Sequence, residues 1–252
     1  MRVVAVMNQK GGVGKTTTTI NLSDALVRSG FSVTAVDLDP QGHLTASFGI
    51  QATGINGMAE VLLHGMPISD GSIPVRDNLN LIPPGSSLGD LEQLSGSGSE
   101  RGFRLRNALR QIVGHTDFIL IDCPPSSGIL GMNVLFSAQE ILIPVSGDYL
   151  ALHGLSRFMK VIHSVEKLLG RQLKKWVVLT RFQERRRLAN EVRDKLISYF
   201  AKELLSTAIR ENVALAECPS FGQTIFEYQS KSHGAVDYHS LANDLLEERT
   251  FQ

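Results

Sequence analysis

The chain has 252 residues, 42% of them hydrophobic, with 25 Lys+Arg against 25 Asp+Glu. That length and composition suit one globular domain with a continuous core. Zero net charge excludes a surface coated everywhere by nucleic acid while leaving a local basic patch open. With Cys123 and Cys218 as the sole cysteines, a disulfide framework and a paired-cysteine zinc site are both excluded, which points to a reducing cytosol.

The N-terminus runs straight into an apolar strand at residues 3–7, without the pattern of a signal peptide. Asn8-Gln9-Lys10-Gly11-Gly12-Val13-Gly14-Lys15-Thr16-Thr17 follows, and then a helix over 16–29. Strand, Gly-rich loop and helix in this order form a phosphate cradle. Backbone N–H groups of Gly11, Gly12, Val13 and Gly14 can curl around a phosphate, Lys15 can reach the β and γ oxygens, and the Thr16 hydroxyl can bind magnesium. Gln9 stands where the standard pattern wants glycine, and Lys10 adds a charge inside the loop.

Further strands are predicted over 31–36, 79–82, 117–121, 140–145 and 176–180, most apolar on both faces as buried parallel strands are. Helical spacing marks 103–113, 152–169, 188–204 and 235–248. This alternation predicts an α/β fold: a doubly wound, mostly parallel sheet flanked by helices, built as a single domain over 1–252. Residues 85–102 contain Ser95-Gly96-Ser97-Gly98-Ser99 and read as a flexible surface insertion. No apolar run approaches the roughly 20 residues of a membrane-spanning helix, and the acidic C-terminal dozen lacks the basic face of a membrane anchor.

From residue 171 to 195 nine Lys/Arg face three acids, a local excess that stands out in a neutral chain. Lys174, Lys175, Arg185, Arg186 and Arg187 belong to it and are candidates for phosphate-backbone contacts that read no sequence. Scattered histidines show no metal-ligand spacing.

Lys10 to Thr17 resembles the deviant Walker A motif of the ParA/MinD family of P-loop ATPases. Val36-Asp37-Leu38-Asp39-Pro40-Gln41-Gly42 looks like the family's second motif, and Phe118 to Pro125 like its Walker B strand. Ala216-Glu217-Cys218-Pro219-Ser220-Phe221-Gly222-Gln223-Thr224 is similar to the segment that follows the last core strand in the ParA branch, so the resemblance spans nearly the whole chain. It implies the P-loop NTPase fold, ATP and Mg2+ as cofactors, and an ATP-sandwich homodimer in which Lys15 serves its own subunit and Lys10 the partner's phosphates. It further implies that Thr16 ligates magnesium, that Asp122 holds it through water and that Asp39 orients the attacking water. Arg181 and Pro219 fall where relatives contact the nucleobase, and Arg210 where the ParA branch places part of its DNA surface.

The implied activity is ATP hydrolysis coupled to non-specific binding of nucleoid DNA, with release by a ParB-like adaptor. The cargo would be a plasmid, a chromosome origin or a protein assembly such as a carboxysome or chemoreceptor cluster, handled by a cytoplasmic, nucleoid-associated protein. Because the chain opens on its first core strand, operator-specific DNA binding is not expected of it. The alternatives are a MinD-like membrane-cycling regulator, disfavoured by the acidic C-terminus, and a metal-cluster carrier ATPase, disfavoured because only Cys123 lies near the phosphate motifs.

Overall fold

The computed structural model describes residues 1–52, 54–93, 102–125 and 128–251, apart from the side chains of residues 93, 149 and 150. Seven strands form one sheet: β1 (Arg2–Val6), β2 (Val33–Asp37), β3 (Ile73–Arg76), β4 (Leu79–Ile82), β5 (Phe118–Asp122), β6 (Glu140–Ser146) and β7 (Lys174–Thr180). Their order is β3-β4-β2-β5-β1-β6-β7, parallel except for the β3–β4 pair. β2, β5 and β6 are buried along their whole length, which their apolar runs require. β3 was not expected from the sequence. It is a four-residue edge strand containing Pro74, with a register irregularity between Pro74 and Arg76, and edges are where a sheet tolerates proline.

The helices are α1 (Lys15–Arg28), α2 (His43–Ser47), α3 (Met58–His64), α4 (Asp90–Gln93), α5 (Arg104–Leu109), α6 (Ile129–Ser137), α7 (Tyr149–Leu169), α8 (Arg187–Phe200), α9 (Val213–Glu217), α10 (Ile225–Tyr228) and α11 (His233–Glu247). They bury two apolar layers, one on each face of the sheet. Val134, Leu155, Phe158 and Val192 from α6, α7 and α8 fill one face; Ile20, Leu26, Tyr238 and Leu241 from α1 and α11 fill the other. Among the described residues no helix is long and apolar enough to cross a membrane.

The expectation of a surface loop over 85–102 needs correction at its start. Leu88 and Leu91 are each 2% exposed and join the core beside α4. The Ser-Gly run 95–99 lies outside the described residues.

Register positions the chemistry. Val6 and Asp37 both pair with Asp122, so β1, β2 and β5 end together on one rim. The phosphate loop after β1, the Asp37-Leu38-Asp39 run after β2 and the end of β5 therefore converge, although some eighty-five residues separate the last two.

Candidate phosphate-binding site

The loop between β1 and α1 is anchored to both β6 and β7. Asn8 donates its amide to the Pro144 carbonyl at 2.8 Å and accepts from the Lys10 N–H at 3.0 Å, while the Thr180 hydroxyl donates to the Val13 carbonyl at 2.8 Å. Gly12 and Gly14 take φ values of 72° and 87°, left-handed conformations that a Cβ would disfavour. Gly14 supplies no side-chain cap to α1, which leaves the helix's first N–H groups available for an anion.

Inside this loop Lys15 is buried, with Nζ donating to the Lys10 carbonyl at 3.3 Å. Burial draws its pKa down, while Asp122, Cys123 and Asp39 pull it back up. The Thr16 hydroxyl donates to Asp122 Oδ2 at 2.7 Å, and the Thr19 hydroxyl to Oδ1 at 3.4 Å. Complete burial, seconded by the neighbouring Asp37, pushes Asp122 up to about 8. The Thr16 hydroxyl and Lys15 offset that burial only in part. A hard divalent ion next to Thr16 would add further positive charge, with the Thr16 hydroxyl as an oxygen ligand of the kind magnesium takes and Asp122 behind it. Among the described residues no group of three or more His, Cys, Asp and Glu could hold a metal ion, so the remaining ligands would come from water and phosphate.

Asp37 is not a free site residue. Its Oδ2 accepts from the Thr45 N–H at 2.9 Å and hydroxyl at 2.8 Å, and its Oδ1 from the Asp39 N–H at 3.2 Å. Burial raises it to about 6 against the pull of those bonds. It thereby ties the start of α2 to the backbone that presents Asp39. Asp39 itself is half-buried, and among the described residues its carboxylate accepts from the Gln41 N–H, at 3.0 Å. That carboxylate lines a cleft of about 910 Å³ together with Gly11, Lys15 and Thr16.

Lys10 stands apart from this cleft. Its ammonium meets Asp148, the residue before α7, at 2.8 Å, and Ser146 donates to the same oxygen at 2.9 Å. Arg181 does line the cleft, in a left-handed conformation (φ 51°), and its guanidinium lies 3.4 Å from Glu211. Pro219 sits in the 3-10 turn Cys218–Phe221 and is not among the cleft's lining residues; Leu215 and Ala216 form the wall there.

The basic candidates do not form one surface. Lys174 and Lys175 begin β7, on the rim opposite the phosphate loop, and each is engaged: Lys174 with Glu248, and Lys175 with Glu166 at 2.6 Å. Arg185, Arg186 and Arg187 are exposed beyond the other end of β7, with Arg187 paired to Glu191 at 2.9 Å. Arg210 is held bidentately by Asp237, its closest contact at 2.6 Å. Sequence proximity merged what a seven-residue extended strand separates. Sequence reasoning passed over Thr19, Asp148, Glu211 and Tyr238, whose hydroxyl is 3.3 Å from that of Thr18. The partners of these residues lie far along the chain or in loops, and no local spacing marks them.

A family model described as an AAA domain matches residues 1–175. The chain is 39% identical over 252 residues to a chromosome partitioning protein ParA of Myxococcus xanthus, covering 99% of this chain and 89% of the relative. It is 36% identical over 251 residues to the sporulation initiation inhibitor protein Soj of Bacillus subtilis, covering 97% and 98% of the two chains. Among solved structures, cobyrinic acid a,c-diamide synthase from Mycobacterium smegmatis with bound ATP analogue and magnesium is similar, with a TM-score of 0.86, 30% identity and full coverage of both chains.

Proposed function

This chain belongs to the ParA family of P-loop ATPases, and from that premise we propose that it is a positioning ATPase that dimerises around ATP, binds nucleoid DNA without reading sequence, and leaves it when an adaptor stimulates hydrolysis. The observation that carries the reading is the convergence of Lys15, Thr16 and Asp39 on one cleft beside an anchored glycine loop, with Asp122 buried directly behind Thr16. Phosphoryl transfer asks a protein mainly for positioning and charge neutralisation. Magnesium supplies part of that neutralisation when bound, with Thr16 and Asp122 as its protein-side contacts.

The remaining roles fall to the chain's own residues. Backbone N–H groups of residues 11–16 hold the phosphates, and Lys15 balances the γ-phosphate charge. Asp39 takes a hydrogen bond from the attacking water and sets its direction. Lys10, which is outside the cleft of its own subunit, serves the cleft of a second copy, so hydrolysis requires the dimer. Dimerisation also brings two copies of the exposed Arg185–187 run onto one assembly, and two modest basic patches acting together bind a polyanion far more tightly than one. ATP thereby controls DNA binding.

Binding to a random-sequence duplex, measured without nucleotide, with ADP and with ATP plus magnesium at several salt concentrations, tests this. Tight, salt-sensitive binding confined to the ATP condition is the expected result. Absence of binding in every condition would remove DNA as the matrix.

A further inference from the structure

The cleft runs along the rim from β2, which delivers Asp39, across the phosphate loop to the end of β7, which delivers Arg181. Phosphates belong over the loop, with the terminal one toward Asp39 and Lys15. The β7 end is left for the heterocycle. Ile209 and Leu215 give that end an apolar floor, which suits a flat ring.

Among the described lining residues only two carry a carboxylate, Asp39 and Glu211. Asp39 sits within the field of Lys15 and Asp122. Glu211 stands away from that pair, at the far end of the cleft with Arg181 as its neighbour, and an acid at this end is no aid to holding phosphate. Its backbone is fixed on both sides. The Ile209 N–H donates to the Leu179 carbonyl at 2.8 Å, the Arg210 N–H to Asp237 at 2.9 Å, and the Glu211 N–H to the Phe182 carbonyl at 3.1 Å. Asn212 then caps α9 by accepting from the Ala214 N–H at 2.9 Å. Only the side chain is free to respond to a ligand. Its contact with Arg181 is long, 3.4 Å, and exposed on both partners, a pair that opens at little cost.

We infer that Glu211 is a specificity-determining residue that selects purine nucleotides by their 6-substituent, favouring a 6-amino over a 6-oxo group; this rests on the nucleotide-binding reading above. An ionised carboxylate only accepts hydrogen bonds. A 6-amino group donates to it, whereas a 6-oxo group presents a second acceptor and leaves both oxygens opposed. Arg181 is the natural counterweight: released from Glu211, it is the donor that a 6-oxo purine seeks. The ion pair therefore sets the preference through which of its two members the base engages.

ATP and ITP share ribose and triphosphate and differ along one edge of the base, where ITP exchanges the 6-amino donor for an oxo acceptor and gains an N1 proton; Glu211 set at the 6-substituent favours ATP, whereas at N1 it would favour ITP. Equilibrium binding with magnesium is measured by titration calorimetry on the unmodified protein and on Glu211→Gln, Glu211→Ala and Arg181→Ala. The unmodified protein is expected to prefer ATP by about tenfold. Glu211→Gln, whose amide can donate, removes that preference; Glu211→Ala weakens ATP while leaving ITP nearly unchanged; Arg181→Ala keeps or widens the ratio. An ATP/ITP ratio in Glu211→Gln equal to that of the unmodified protein overturns the inference, as does an unmodified protein without preference. A protein that binds neither nucleotide overturns the reading of the cleft itself, a different result from the first two.

Discussion

At the scale of single residues, the site sets buried carboxylates against very few cations. Asp122 illustrates the consequence. Its native carboxyl holds a proton up to about pH 8, whereas the ordinary value is 3.8. Between those values the folded chain binds a proton that the unfolded chain has lost, so this group makes stability fall as pH rises through the window. Asn at 122 keeps an acceptor for Thr16 but does not titrate. The melting temperature of Asp122→Asn relative to the unmodified, nucleotide-free protein should therefore climb from about pH 4 to about pH 8, and a constant difference by scanning calorimetry would contradict the burial argument. Asp39→Ala removes the carboxylate proposed to orient the attacking water without touching the phosphate cradle. We expect ATP hydrolysis to drop by at least ~100-fold, with ATP affinity retained, read by phosphate release and calorimetry. Asp148 restrains Lys10 within its own subunit. Asp148→Ala should therefore lower the protein concentration at which the ATP dimer forms by about threefold, a small factor because the pair is exposed; sedimentation velocity measures it.

At the scale of elements, the contact between the turn after α2 and the turn before α10 stands out. A Cβ on Gly222 would lie 2.7 Å from the Gly49 Cα, and Gly222 has a φ of 64°. Gly222→Ala adds both overlap and backbone strain, and should cost about 1–3 kcal/mol in urea denaturation. A variant as stable as the parent would show that the two turns separate freely. Six of the seven strands were legible because most are apolar runs that a parallel sheet buries on both faces, as in β5. β3 was not, since Pro74 interrupts a four-residue run. α6 escaped for the opposite reason. Seven of its nine residues are buried, so it shows no polar stripe and hence no helical period. The four- and five-residue helices α2, α4, α9 and α10 are shorter than any periodicity can register.

At the scale of the whole molecule, the phosphate loop, Asp39 and Asp122 could be placed together from the sequence because each lies at or just past a strand end, and parallel pairing brings strand ends to one rim. The basic surface was misjudged because β7 carries Lys174 and Lys175 to one rim and the Arg185–187 run to the other. This division makes a prediction about DNA. Neutralising Arg185, Arg186 and Arg187 together should flatten the salt dependence of duplex binding by about one unit of slope for each arginine that meets a phosphate. Neutralising Lys174 and Lys175, both occupied by glutamates, should leave the slope unchanged, and fluorescence anisotropy across a salt series separates the cases. The sheet's two margins carry a final consequence. On one side β3 runs antiparallel with a proline and a register irregularity. On the other, residues 203–209 hydrogen-bond along β7 through Val177, Leu179 and Leu205. Among the described residues neither margin offers a long unpaired ladder to a neighbouring chain. The fold is thus guarded against the edge-to-edge accretion that seeds amyloid, and a concentrated stock of this protein should resist fibril formation.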